Sequence, residues 1–468
     1  MKMTNQRTAM ALAMSAMLAG CMMGPDYKRP TMELPASYAP APVNAATVAA
    51  SHTTWWTIYN DAVLNNVVDE ALKNNRDLVV GAARVAEARA QLGLAISDQV
   101  PSVYASANRE RNRNSQATDN SGQGMPVMST TNRVSLNFSY EIDFWGKYRR
   151  ATEAARADLL SVEANRDTLR LSMVTQVVQG YFNLLALDAQ VVATEQAVRR
   201  GQEALDLQKK RFDAGVISEF DFQQRSAEVD AARAQLPPLQ SQRGKQERAL
   251  AVLLGRSPRA IMEGKVERSS TFTPGNTIIT PAGLPSDLLL RRPDLVEAEQ
   301  KLVAANARIG AARAAFFPNI SLTGLLGSES SALGDLFSGP ARTWSFAGQL
   351  IQPLWGAGRI NRQVEAVEAR NDQVVAQYQS AIVNAFREVQ DAIQAQSAAR
   401  EVNEIEQRRV TSLSKSWNLA KLRYENGVAS QLDVIDAERN LLMAELNRLE
   451  AERGLRAAVA DLYKALGG

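Results

Sequence analysis

Residues 133–145 alternate strictly: Val134, Leu136, Phe138, Tyr140, Ile142 and Phe144 are apolar, and Arg133, Ser135, Asn137, Ser139, Glu141 and Asp143 between them are polar. Period two sends successive side chains to opposite faces, so this stretch predicts a strand with one apolar and one hydrated face. The pattern returns more weakly at Ile320, Leu322 and Leu326, and again at Trp344, Phe346 and Leu350 set against Thr343, Ser345 and Gln349. Residues 102–108 form a weaker strand pattern still. Polar stretches 109–131 and 327–342 separate the members of each pair, which predicts two β-hairpins with long turns.

Each hairpin is followed by a glycine, Gly146 or Gly356, and then by a proline-free stretch rich in Ala, Leu, Gln, Glu and Arg. Such residues lose little side-chain freedom in a helix, so 146–211 and 356–425 predict helices of about 65 residues and, at 1.5 Å per residue, about 100 Å in length. Leu159, Val162, Leu169, Met173, Val177 and Val198 recur at bundle spacing. Gly215 and Gly427 end the long helices, and helices reaching about Leu254 and Leu466 return antiparallel beside them. Pro237-Pro238 predicts a kink in the first return helix, with no counterpart at Leu449-Glu450.

The chain is written twice. An offset of 217 lays Asp77-Leu78-Val79 on Asp294-Leu295-Val296, Gly93 on Gly310 and Pro101 on Pro318. An offset of 212 lays Arg211, Gly215, Val216, Ser218 and Asp221 on Arg423, Gly427, Val428, Ser430 and Asp433, and Leu254-Gly255 on Leu466-Gly467. Gly, Pro and Asp in register at both ends of each half indicate one duplication.

Composition removes several classes of function. With 53 Lys+Arg against 50 Asp+Glu in 468 residues, and no basic arm, nucleic acid is not an expected partner. One Cys and one His exclude a disulfide framework and a Cys/His zinc site within one chain, and they leave only His52 as a histidine base. His52 sits in a polar linker as a solvated side chain. Gly356-Ala357-Gly358 lacks the third glycine and the parallel-strand context of a dinucleotide loop. No catalytic residue, metal site or cofactor is expected, and the chain is not expected to be an enzyme.

The N-terminus carries a different chemistry. Lys2 and Arg7 precede an apolar run at 9–18, and Leu18-Ala19-Gly20-Cys21 closes it. This resembles a bacterial lipoprotein signal, with cleavage after residue 20 and Cys21 as the lipid anchor, S-diacylated and N-acylated. Several buried acyl chains, at about 0.8 kcal/mol per CH2, hold such a protein stably on a bilayer. The next residue is Met22, not the Asp that retains lipoproteins at the inner membrane, so the outer membrane is the expected address.

Four strands cannot close a membrane barrel, whose smallest members have about 8 strands, so closure needs several subunits. Trp145, Trp344 and Trp355 at strand ends suit an interfacial aromatic belt. Hairpins in lipid continuous with long helices in water describe a pipe, with Ser135, Asn137, Ser139 and Glu141 facing its lumen and a gate at the Gly215 and Gly427 tips. Arg423, Glu425, Asp433 and Asp436 cluster at the second tip.

Five motifs carry a family resemblance: Trp55-Trp56-x-x-Tyr59-Asn60-Asp61, Ala71-Leu72-x-Asn74-Asn75-x-Asp77-Leu78, Leu290-Arg291-Arg292-Pro293-Asp294-Leu295, Phe317-Pro318-x-Ile320-Ser321-Leu322 and Arg423-Tyr424-x-x-Gly427-Val428. Nearly the whole mature chain resembles outer-membrane factors of the TolC/OprM type, the lipoprotein exit ducts of tripartite efflux pumps. The resemblance implies a mostly α protein with a small transmembrane β part, in which a helix, β-hairpin, long helix, helix unit is duplicated. It implies a homotrimer whose 12-stranded β-barrel continues into a 12-helix α-barrel. It further implies a periplasmic adaptor protein docked on the tips Gly215, Val216, Ser218, Gly427, Val428 and Ser430. Beneath lies an inner-membrane transporter, of RND type in preference to ABC or MFS. Leu432 and Asp436 match positions that ring the closed aperture, with Asp433 and Arg423 beside them; Phe220 and Gln224 are the equivalents of the first two in the other half.

The expected organisation is a signal peptide at 1–20 and a lipid-anchored extended segment at 21–60. A first repeat spans 61–255, with a hairpin at about 101–145, a long helix at about 146–211 and a tip at about 213–219. A connector covers 256–285. The second repeat spans 286–468, with a hairpin at about 318–354, a long helix at about 356–425 and a tip at about 426–431. The expected function is a passive, gated exit duct for small toxic compounds or drugs. The same duct serving metal-ion efflux or type I protein secretion is the alternative, and a monomeric coiled-coil scaffold lipoprotein with a small β-sandwich is a third possibility.

Overall fold

The computed structural model describes residues 22–33, 54–115, 127–269 and 291–468. Cys21, His52 and the later part of the connector lie outside them. In chain order the described elements are a 3-10 turn Trp55–Tyr59, α1 Ala62–Asn74, α2 Arg76–Ser97, β1 Ser102–Arg113, β2 Met128–Glu141, α3 Lys147–Asp213, α4 Glu219–Ala234, α5 Leu236–Leu253, α6 Pro258–Glu263, α7 Pro293–Ala314, β3 Asn319–Ser330, β4 Arg342–Ile351, α8 Ala357–Glu425 and α9 Gln431–Leu466, with two further 3-10 turns between β3 and β4. The long helices α3 and α8 run for 67 and 69 residues. No proline interrupts either, so the backbone hydrogen-bond ladder is never broken.

The chain folds as two compact units, and each draws on both sequence repeats. The first comprises residues up to 31, 85–162 and 297–378. It contains one four-stranded antiparallel sheet in the order β1-β2-β3-β4. Ser106 lies opposite Ser135, Ser135 opposite Gly327, and Gly327 opposite Thr343. That register puts Ser106, Ser135, Asn137, Thr343 and Ser345 on one face. On the other face, Val103 aligns with Phe138, Gly324 and Phe346, and Ala105 aligns with Leu136, Leu326 and Trp344.

The strands are longer than their hydrophobic alternation. Residues 109–113 and 128–131 extend the first hairpin and 327–330 extend the second, all within stretches expected to be turn. Alternation disappears where both faces are polar, yet the backbone ladder continues, since Arg109 still pairs with Asn132 and Arg113 with Met128. A single sheet with an uncovered apolar face also replaces the two-layered sandwich of the scaffold alternative. Below the sheet, Ala154 and Ala157 of α3 meet Ala304 and Ala307 of α7, and their small side chains let the two helices approach closely.

The second unit comprises residues 32–84, 163–296 and 379–468. Its core joins Trp55, Leu64, Val68, Val177, Tyr181, Leu184, Leu250, Leu254, Val459 and Tyr463. Trp55 stacks on Tyr463 at 5.5 Å, and the Tyr59 hydroxyl donates to the Arg456 carbonyl at 2.8 Å. These contacts give the Trp55-Trp56-x-x-Tyr59 motif a packing role.

Two contacts in this unit occur once per repeat. Asn75 Nδ2 donates to the Leu253 carbonyl at 2.8 Å, and Arg292 Nη1 donates to the Ala465 carbonyl at 3.0 Å. The offsets of 217 and 212 carry one pair onto the other. Likewise a Cβ on Gly255 would meet the Asn74 backbone and one on Gly467 the Arg291 backbone. The first return helix breaks at Gln235, with prolines opening α5, whereas α9 is continuous over 36 residues.

Candidate duct surfaces, anchor and aperture

The polar face of the sheet is organised by its own hydrogen bonds. Ser106 and Ser135 hydroxyls lie 3.1 Å apart, and Asn137 Nδ2 donates to Ser106 at 2.9 Å. At the end nearest the helices, Glu141 accepts from Lys147 Nζ at 3.1 Å and from the Tyr148 hydroxyl at 2.8 Å. Ser135, Asn137, Ser139 and Glu141 thus share the polar face, with Ser135 buried against its neighbours. The apolar face presents Val103, Leu136, Leu326, Trp344, Phe346 and Leu350, all exposed. Among the described residues no helix is long and apolar enough to cross a membrane.

The three tryptophans differ from one another. Trp344 lies on the apolar face and Trp355 just beyond β4, both exposed. Trp145 is instead half-buried and held by the protein: its indole nitrogen donates to the Pro318 carbonyl at 2.9 Å and its ring stacks on Phe317 at 4.5 Å. It closes the turn between β2 and α3, so its place at the strand end is a packing role as well as a positional one.

Residues 22–31 form a strap seated at that same turn. Met23 donates its N–H to the Trp145 carbonyl at 3.2 Å, Met22 packs on Gly146, and Gly24 packs on Gly310. Arg150, almost fully buried, reaches the Met23 carbonyl at 3.2 Å and Asp26 at 2.7 Å. Arg29 grips Glu299 with two bonds of 2.7 Å, and the Tyr27 hydroxyl donates to the same carboxylate at 3.1 Å. Burial, reinforced by the Glu299 charge, pushes the Tyr27 phenol well above its ordinary range. None of these partners carried a motif signal, because each depends on a chain separation of more than 100 residues.

The two helical tips are copies of one another. Gly215 and Gly427 have φ of +70° and +72°, and each donates its N–H to a carbonyl three residues back, Phe212 and Tyr424. Val216 and Val428 bond back to Arg211 and Arg423 at 2.8 and 2.9 Å, completing the left-handed helix cap. Ser218 and Ser430 then open α4 and α9 with reciprocal capping boxes, closed by Asp221 and Asp433. The six residues expected to meet an adaptor are therefore two identical caps, with Val216 and Val428 exposed at their ends.

Leu432 is exposed one residue into the second cap, and its equivalent Phe220 is exposed as well. Asp433 is engaged in the cap, and the hydrogen bonds from the Ser430 backbone and hydroxyl hold its carboxyl below its ordinary value. Asp436 pairs with Arg439 at 2.7 Å, one helical turn on. Arg439 lies at i+3 on the same helix face, which brings the two side chains together. Behind these residues Arg225 of α4 and Glu438 of α9 form a buried ion pair at 2.9 Å. Gln431 Nε2 donates to the Asp221 carbonyl at 3.2 Å, and Gln208 Nε2 to the Tyr424 hydroxyl at 2.9 Å.

Arg292 of the Arg-Arg-Pro-Asp motif is likewise structural. Burial opposes its charge, but bonds of 2.7 Å to Asp294 and to Glu388 outweigh that, and its pKa is raised. Among the described residues no group of three or more His, Cys, Asp or Glu is placed to hold a metal ion.

Comparison with known proteins places this arrangement. The sequence model of the outer membrane efflux protein family matches residues 67–256 and 284–468. The chain belongs to that family. The efflux protein is 33% identical to the cation efflux system protein CusC of Escherichia coli over 96% of both chains. It is 34% identical to the outer membrane protein OprJ of Pseudomonas aeruginosa over 98% of this chain and 95% of OprJ. Its fold superposes on the crystal structure of the Campylobacter jejuni CmeC outer membrane channel with a TM-score of 0.90, at 28% identity, over 96% of this chain and 95% of that one. The efflux protein is an outer-membrane efflux duct that extends into the periplasm, and its family is one of channels.

Proposed function

We propose that three copies of the chain close a 12-stranded barrel over a 12-helix tunnel, and that this duct passively exports small toxic compounds or drugs. The observation that carries this is the state of the sheet: four strands with an uncovered apolar face and, among the described residues, unpaired edges on β1 and β4. An edge strand leaves a row of backbone donors and acceptors unmatched, and pairing β4 of one copy with β1 of the next removes every edge. Four strands per copy need at least two copies to reach the smallest membrane barrels, and three give a lumen wide enough for solutes.

Within this duct Cys21 carries the S-diacylglycerol and N-acyl chains, and the strap at 22–31 holds them at the strand-helix turn. The caps at Gly215, Val216 and Ser218, and at Gly427, Val428 and Ser430, take the adaptor hairpins, and an RND-type transporter feeds the tunnel from the inner membrane. Leu432 and Asp436 from three copies ring the aperture, with Asp433 holding the helix end in shape and Arg423 beside it. A second function, export of metal cations through the same duct, is favoured by the CusC similarity.

Single-channel conductance of the purified protein, recorded with its oligomeric mass, tests the proposal. A trimer whose small conductance rises in Leu432→Ala/Asp436→Ala is the expected result. A monomer without conductance overturns it. Growth of a deletion strain on drugs and on metal cations then separates the two cargo classes.

A further inference from the structure

Charge on the sheet is sorted by face. The strands contain three carboxylates, Glu110, Glu141 and Glu329, and all three lie on the polar face. They contain five arginines, and four of them, Arg109, Arg111, Arg113 and Arg342, lie on the apolar face. The fifth, Arg133, is on the polar face and is paired with Glu329 at 2.6 Å.

Arg109, Arg111 and Arg113 continue directly from Val103, Ala105 and Ala107 along β1. Side chains at i and i+2 on one strand face are about 7 Å apart, so the three guanidinium groups form a ladder whose members repel one another. Their cross-strand neighbours are Asn132, Thr130 and Met128, and among the described residues no carboxylate pairs with any of the three. Asp119 is the one acid among residues 116–126, so even a bond to it would leave two cations uncompensated. Beside the ladder the apolar face holds a groove of about 500 Å³ lined by Ala105, Val134, Leu136, Leu326 and Trp344, with Arg342 at its edge.

The ladder lies at the end of the hairpin away from α3, whose start carries the strap and Cys21's neighbours. In the barrel proposed above, that end reaches the outer leaflet and that face is turned to lipid.

We propose that Arg109, Arg111 and Arg113 bind the phosphates of a phosphorylated glycolipid of the outer leaflet, with its acyl chains against the apolar face below. Two features commit the ladder to this occupant. The ladder is continuous with the lipid-facing surface and points away from the lumen, and planar guanidinium forks match phosphate oxygens two at a time. The inference rests on the barrel proposed above.

The test is native mass spectrometry of the full-length detergent-solubilised protein titrated with diphosphoryl lipid A and, separately, with monophosphoryl lipid A. Wild type is expected to retain the diphosphorylated lipid at least tenfold more strongly. Arg109→Gln/Arg111→Gln/Arg113→Gln should lose that preference, the corresponding triple Lys variant, which keeps the charge without the guanidinium fork, should keep only part of it, and Arg133→Gln should keep all of it. Unchanged retention in the triple Gln variant overturns the ladder, as does displacement of the lipid by an equimolar concentration of inorganic phosphate. Conductance in zwitterionic bilayers is recorded on the same samples. A conducting triple Gln variant with normal lipid retention refutes the ladder alone, whereas a non-conducting monomeric wild type refutes the barrel and the ladder with it.

Discussion

Arg225 on α4 and Glu438 on α9 meet at 2.9 Å with only 5% and 12% of their side chains exposed. Each return helix thereby supplies one charge to a single buried bond near the tips. The repeat does not duplicate it, since the offset of 212 carries Arg225 onto Ala437 and Ser226 onto Glu438. This asymmetry ties the two hairpins of one chain together where the aperture is proposed.

Removing one partner of this pair strands the other charge in a poorly hydrated place. Glu438→Gln is expected to destabilise the tip region by up to about 3–5 kcal/mol. Arg225→Leu/Glu438→Leu should recover a large part of that loss, because no charge then remains buried. Protease cleavage rates at the 213–219 and 426–431 turns would check this. Equal cleavage in the single and double variants would mean the pair holds nothing together.

Two classes of left-handed glycine separate in cost. Gly215 and Gly427 have open space where a Cβ would be, so Gly→Ala there costs only the strained φ, about 1 kcal/mol. Gly255 has φ of +69° and its Cβ would lie 2.0 Å from the Asn74 carbonyl oxygen. Gly255→Ala must therefore also push the α1 C-terminus away, and its melting point should fall well below that of Gly427→Ala. Thermal unfolding of the two variants in the same detergent decides it.

The sequence disclosed the parts of this fold that are local or repeated. Period two at Val134 to Phe144 located β2, proline-free helix formers located α3 and α8, and the tip caps stood out because Gly215 and Gly427 recur with the same neighbours. The β1 extension through Arg109 to Arg113 was hidden, since a strand polar on both sides carries no period. Arg225–Glu438 and Arg29–Glu299 were hidden for another reason: each joins residues 213 or 270 apart, and charges on helices are common enough to carry no signal alone.

Tyr181 contributes to the alkaline limit of the second unit. Its hydroxyl donates to Asp61 at 2.8 Å and accepts from the Ser269 N–H at 3.2 Å, and burial pushes its pKa up to about 12. A phenol whose folded pKa lies above its unfolded value of 10.0 contributes stability that is full below pH 10 and is lost as pH rises toward 12. Tyr181→Phe should flatten the fall in stability across that window. A denaturation series from pH 9 to 12 showing the same slope in both proteins would rule the residue out.

The acid limit is set in part by Asp433. Its carboxyl is held below its ordinary value by the Ser430 backbone and hydroxyl, so the stability it contributes is present above its unfolded pKa of 3.8 and is lost as pH falls through its lower folded value. Ser430→Ala removes the hydroxyl half of the box and should make the α9 N-terminus fray at a higher pH than in wild type. Hydrogen exchange at residues 431–435 between pH 5 and 3 would show it. For Asp436, paired with exposed Arg439 at 2.7 Å, conductance is the readout of its proposed place in the aperture.

The strap makes a prediction about the anchor that does not depend on the lipid itself. Met22 and Met23 are held against Gly146 and Trp145 by contacts of the strap itself, none of which involves an acyl chain. Arg150 and Arg29 fasten the next turns of chain through Asp26 and Glu299. Cys21→Ser should therefore lose the mass of the acyl chains while keeping protection of residues 22–31 from proteolysis. Arg150→Ala should do the reverse, since it removes a nearly fully buried cation from between the Met23 carbonyl and Asp26 and leaves the cysteine intact. Such a variant should keep its acyl mass with a strap that is cut readily. If instead the strap is released whenever the lipid is absent, then acylation, and not the Arg150 and Arg29 contacts, is what fixes the N-terminus at the membrane edge.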